Sequence, residues 1–246
     1  MMNVLDTVAE LSKKVDESAV RAGFYVSRYN GNSPLSFLSA DAKKAIGDKL
    51  DRVSANYCKI AVDELAQRMR IVGLSVDGVP DDGLWAAWRQ SGMIPGASLT
   101  TKGALMTGRS ALSIWVPKGS TPVIRPESAL QTAWNFDPIT GRTTAAFKRW
   151  RHAESGRMMG VLYLPERSIS VRSKAHVPEQ GFVPANGWEI MGEVENPTGM
   201  PLLVPIVNSA TLESGTWGDS ELQPLLSAQD ILEKLLLDAM TNAESF

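Results

Sequence analysis

The spacing of apolar residues changes period twice along this chain, and the changes mark a helical front, a β-rich middle and a helical end. Val4, Leu5, Val8, Leu11 and Val15 recur at helical spacing and predict a short amphipathic helix over residues 3–20. Tyr29, Asn30, Gly31, Asn32, Ser33 and Pro34 then supply turn chemistry. A long helix is predicted from Asp41 to Val72, capped by Ser39 or Asp41 and stopped at Gly73. Its first half carries Ile46, Leu50, Val53 and Tyr57 on one face; its second half carries Cys58, Val62, Leu65, Met69 and Val72 on a rotated one. Such a shift calls for contacts on more than one side, or a bend. Further helices are predicted over 82–92 and 98–107.

From Ser110 the period becomes two. Leu112, Ile114 and Val116 alternate with Ser113 and Trp115 until Pro117. Further strands are predicted over 122–125, 129–136, 143–151, 158–164, 168–173 and 187–195. Asp137 to Gly141 and Glu154 to Gly156 read as hairpin turns, so this region is a mainly antiparallel sheet. Residues 199–208 are extended, because Pro201 and Pro205 exclude a helix there. Ser220 and Gln223 form an expected capping box for a last helix. Leu222, Leu225, Leu226, Leu232, Leu236, Met240 and Ala243 share its apolar face, while Ile231 and Leu235 lie on other sides. A helix apolar over most of its circumference needs neighbours on several sides.

With 246 residues and 43 % hydrophobic content, the chain can bury a substantial core in one large domain or two small ones. Cys58 is the only cysteine, which rules out an internal disulfide and fits a reducing compartment. There is no signal-peptide pattern at the start, and no stretch approaches the roughly 20 apolar residues of a membrane span. The net charge of −2 is uneven: residues 142–176 are basic, and residues 177–246 hold Lys234 as their only cation. The basic segment reads as a rim patch for acidic partners or as solvated strand faces.

Enzyme signatures are sparse. His152 and His176 have no Cys or His at metal-ligand spacing, and no nucleophile elbow, P-loop or dinucleotide fingerprint is present. Asp81 and Asp82 read as a helix cap; Glu193 and Glu195 share one strand face. Cys58, within an apolar stripe, reads as a buried inert thiol. The seven tryptophans are dispersed, with basic neighbours only around Trp150, and read as packing residues in preference to a base-stacking platform. No catalytic, cofactor-binding or metal-binding residue is expected.

The order of motifs resembles the portal proteins of siphophages, the SPP1-type family of tailed bacteriophages. Tyr29, Gly31, Pro34, Leu35, Phe37 and Leu38 are followed by Asn56 and by the stretch from Val62 to Gly73. After these come Leu84 to Ser98, Ala104 to Val116, the Asp-Pro hairpin from Phe136 to Trp150, Met200 to Asn208, and Gly218 onward. Each motif is common by itself; the resemblance lies in their order over nearly the whole chain. It implies an α+β fold in which residues 1–217 form a wing-like domain of long helices and antiparallel sheet. Residues 218–246 would begin a stem helix, and the chain would match the N-terminal half of the family.

The implied function is structural: a subunit of a dodecameric ring at the capsid vertex, through which double-stranded DNA passes without specific binding. Terminase, major capsid and head–tail connector proteins would be its partners, with no membrane and no cofactor. The expected location is the virion, with assembly in the host cytoplasm. A prophage-derived remnant that interferes with another ring is the alternative, and an unrelated α+β hydrolase is a third reading. The resemblance points to Leu222, Leu225, Leu226, Asp230, Glu233, Lys234, Leu236, Asp238 and Met240 as the subunit interface or channel wall. Asp230, Lys234 and Asp238 recur at i, i+4 and are expected to pair within the helix. Glu233, on the apolar face, is expected to meet a neighbouring subunit. An acidic wall would repel the phosphate backbone and let DNA slide; on the other reading these charges solvate a surface helix.

Overall fold

The computed structural model describes residues 3–32, 56–116, 119, 121–178, 181–208, 211 and 217–243, without the side chains of 237 and 240–243. The expected caps Ser39 and Asp41, and the helical stripe of Ile46, Leu50 and Val53, lie outside the described residues. The fold is mixed α+β, with five helices and antiparallel sheets among the described residues.

Helix α1 spans Val4–Tyr29, with the Asn3 side chain accepting from the Leu5 N–H at 3.3 Å as its N-cap. It runs nine residues beyond the expected end at residue 20, because its buried stripe continues through Ser18, Ala22 and Tyr25. Small residues on that face lower its hydropathy without interrupting its burial. Helix α2 (Tyr57–Arg68) is capped by Asn56, whose side chain accepts from Lys59 N–H at 2.9 Å. It stops before the expected Val72. Residues 69–74 have no regular secondary structure and lead into a two-stranded hairpin, β1 (Ser75–Val76) and β2 (Val79–Pro80). Asp77 and Gly78, with φ of 49° and 81°, make its turn, so the Asp-Gly pair sets this unexpected element.

Asp81 accepts from Leu84 N–H at 2.8 Å and starts α3 (Asp82–Gln90). Helix α4 (Met93–Thr107) begins five residues before the expected Ser98. Pro95 stands in its first turn, where the missing N–H breaks no intrahelical bond.

Strands β3 (Arg109–Trp115), β4 (Val123–Glu127) and β10 (Leu203–Val207) form one antiparallel sheet in the order β10-β3-β4. Strands β5 (Thr132–Phe136), β6 (Thr143–Arg151), β7 (Arg157–Tyr163), β8 (Arg167–His176) and β9 (Trp188–Glu195) form a five-stranded meander. The Asp137–Gly141 turn appears as expected. The Asp137 carboxylate accepts from Ile139 N–H at 2.9 Å and from the Thr140 hydroxyl at 2.6 Å.

Strand alternation sorts the meander into two faces. Ala133, Phe147, Leu162, Ile169, Val171 and Trp188 pack against Val8, Leu11 and Val15 of α1. On the opposite face, Trp134, Ala146 and Tyr163 meet Ala111 and Leu203 of the three-stranded sheet. Burial and the nearby Glu127 carboxylate push the Tyr163 phenol up to about 12. The meander is thus a central layer between α1 and the second sheet. A third core gathers Tyr25, Cys58, Val62, Ala66, Leu105 and Leu222, so the C-terminal half of α1 belongs to a helical unit. Helix α5 (Leu226–Ala243) follows a 3-10 turn at Gln223–Leu225 and packs on that unit.

Candidate functional site

The segment that leads into α5 is bonded to the body residue by residue. Asn208 N–H donates to the Gly108 carbonyl at 2.9 Å, and Asp219 N–H donates to the Asn208 carbonyl at 2.9 Å. Gly108 and Gly218, at φ of 87° and 80°, pass so closely that a Cβ on Gly108 would lie 2.9 Å from the Gly218 oxygen. Ser220 donates its hydroxyl proton to the Met106 carbonyl at 2.5 Å and accepts from Leu222 N–H at 3.1 Å. The expected Ser220–Gln223 capping box is therefore not formed. The Gln223 side chain instead accepts from the Tyr25 hydroxyl, and α5 begins only at Leu226.

Arg109 and Trp217 close this junction. The Arg109 guanidinium lies 3.7 Å from the Trp217 ring centroid and 4.5 Å from that of Trp134. Arg21 approaches Trp217 from 5.1 Å. Arg109 is buried, and no carboxylate pairs with it among the described residues. Burial, then repulsion from Arg21, lowers its pKa to about 10. The two indole faces take the place of a counter-ion.

Along α5, the inward positions are unusually polar. Leu222 is fully buried and Leu226 packs on the same cluster, while Leu225 is half-buried. Beyond them, Gln229 and Glu233 are buried, with the Gln229 amide donating to Glu233 at 2.8 Å. Gln229 also accepts from the Tyr57 N–H at 3.2 Å. Asp230 does not pair with Lys234 as expected; Arg28 of α1 takes it in a two-pronged contact at 2.7 and 3.1 Å. A guanidinium buried on the adjacent helix outcompetes an exposed lysine on the same one. Glu233, expected to meet a neighbouring subunit, is buried within its own molecule. Lys234 and Asp238 are exposed and Leu236 is half-buried. Met240 lies in the helix, its side chain outside the described residues.

Among the described side chains of α5, the large apolar ones that face out are Ile231 and Leu235, 62 % and 60 % exposed and one turn apart. Tyr57 and Ile60 of α2, the helix that α5 packs against, are also exposed. The interior of this helix pair is thus partly ionic, and its exterior partly greasy.

The remaining candidates fall into ordinary structural roles. Cys58 is buried behind α5, and burial pushes its thiol pKa up, opposed by Arg28 and reinforced by Glu233 and Asp230. Glu193 pairs with Arg167 at 3.1 Å on an exposed strand face, and Asp81 caps α3. Trp88, Trp134 and Trp188 are core residues; Trp188 stands edge-on to Phe147 at 5.6 Å. Among the described residues no three His, Cys, Asp or Glu side chains gather as a metal site. No helix among them is long and apolar enough to cross a membrane. No protein-family model matches the chain, and no curated protein matches it.

Proposed function

We propose that the chain is a structural subunit that associates with copies of itself through α5, as in the portal rings that its motif order resembles. The observation that carries this reading is the outward Ile231–Leu235 pair on a helix whose inner face holds Gln229 and Glu233. A solitary globule gains most by the reverse arrangement, with leucines inside and carboxylates in water. Exposed apolar side chains in sequence register on one helix favour a protein neighbour. The second support is the rigid attachment of that helix. The Arg28–Asp230 pair, the Gly108–Gly218 crossing and the Arg109–Trp217 stack would fix its angle to the body, as a ring requires of each subunit.

On this reading the ring sits at the capsid vertex and conducts double-stranded DNA, with terminase, capsid and connector proteins as neighbours. The chain supplies shape and no chemistry. Native mass spectrometry over a concentration series tests the reading. Oligomers that disappear in an Ile231→Lys, Leu235→Lys double variant are expected, and a single monomer species at every concentration would refute it.

A further inference from the structure

The end of the meander formed by β6, β7 and β8 gathers both histidines of the chain with four cations. His152, Ser155, Arg157, Met159 and Arg172 line an open pocket of about 430 Å³. Arg151 and His176 stand beside it, with Arg151 Nη2 3.4 Å from His176 Nε2. Lys174 follows on the same strand and donates to the Asn186 carbonyl at 2.7 Å. The nearby carboxylates are Glu189 and Glu154. Glu189 pairs with Arg172 at 2.6 Å and with Arg157 at 3.6 Å; Glu154, exposed in the turn, makes no ion pair among the described residues.

Several donors at this end have no protein acceptor. Glu189 engages Arg172 through Nε, leaving both Nη groups without an acceptor among the described residues. Arg151 Nη1 is buried and has no hydrogen-bond partner. The His152 Nδ1 is taken up by Ser155, 3.4 Å from its N–H and 3.2 Å from its hydroxyl, which leaves Nε2 without a partner among the described residues. Guanidinium and imidazole groups converging from three strands and a turn suit a compact oxyanion with several acceptor oxygens.

We propose that this pocket binds a phosphate group, presented either by a nucleic-acid backbone or by a free phosphate. Arg157 and Arg172 hold the phosphate oxygens, His152 hydrogen-bonds to them, and Met159 lines the pocket. The proposal stands whether or not the chain forms rings.

The chain's two histidines make the test direct, because its imidazole C–H spectrum contains only two sets of signals. Inorganic phosphate, pyrophosphate and a short DNA duplex are titrated separately into the full chain at constant ionic strength. A saturable shift of the His152 signals is expected, with affinity about tenfold weaker in Arg157→Gln for one lost charge-assisted bond. Arg142→Gln, an exposed charge on the neighbouring hairpin, keeps wild-type affinity. Displacement of phosphate by the duplex identifies a backbone ligand, and a shift with phosphate or pyrophosphate alone identifies a free one. Circular dichroism confirms that Arg157→Gln is folded; His152→Gln, read by calorimetry, serves if it is not. No shift with any of the three probes, or equal binding by wild type and the folded Arg157→Gln or His152→Gln variant, overturns the proposal.

Discussion

Arg28 and Arg109 are both interior cations, and they are satisfied in different ways. Arg28 has a carboxylate, Asp230, 202 residues away in sequence. Arg109 has two indoles and one long bond to the Thr132 carbonyl at 3.5 Å. Removing one partner of a buried pair leaves the other desolvated and unmatched. Arg28→Ala is therefore expected to lose about 3 kcal/mol in urea unfolding, and Asp230→Asn less, since Asp230 is partly exposed. Trp217→Ala removes one face of the Arg109 stack and is expected to cost about 2 kcal/mol. Amide exchange in α5 should also become faster. A third test uses pH. Lys102 donates to Asp63 at 2.7 Å, as does the Tyr29 hydroxyl. Burial pushes the Asp63 carboxyl upward, but these two bonds outweigh it and hold it below its ordinary value. A lowered folded pKa contributes stability above the unfolded value of about 3.9 and loses it as pH falls further. Asp63→Asn should flatten the stability profile below about pH 4, by under about 1 kcal/mol because the pair is partly exposed. None of these pairings is visible in the sequence. The spacing placed Glu233 on the apolar face of its helix, but Arg28 and Gln229 could be assigned their partners only after the chain had folded.

Elements were more legible where the signal is local. Strand β6 lies at 143–151 as expected, because it is bounded by the Asp137–Gly141 turn on one side and by the turn through Glu154 on the other. Boundaries differ from the expected ones where one residue type fits two local roles. Pro95 is compatible with the first turn of α4, so the helix starts before it, and the Asp77-Gly78 pair was a hairpin signal in plain view. The Ser220–Gln223 spacing fits a capping box, yet Met106 and Tyr25 claim both side chains. The junction before α5 has its own prediction. Gly218→Ala would place a Cβ against the Gly108 oxygen, in a backbone region that disfavours any side chain. It should cost about 2 kcal/mol or more in denaturant unfolding. The same substitution at exposed Gly73, with open space around it, should be nearly silent.

At the scale of the whole molecule, charge that is segregated along the sequence is partly reunited in space. The basic segment 142–176 and the acidic end look like opposite fields when read along the chain. Folding sets β8 beside β9, where Arg172 meets Glu189 and Arg167 meets Glu193, and Arg157 of β7 also reaches Glu189. The remaining positive excess lies around Arg151 and the histidines, and the remaining acidic excess includes exposed Asp238 on α5. The division between the basic and acidic segments falls between two strands that pair with each other, which is why composition by segment overstated the asymmetry. On the proposed reading, α5 turns Ile231 and Leu235 outward for a neighbouring copy. Sedimentation velocity of the wild type beside the Ile231→Lys, Leu235→Lys variant tests it most directly. Concentration-dependent assembly in the first and a monomer in the second is the predicted result. A wild type that sediments as a monomer throughout, or a variant that assembles equally well, would contradict it.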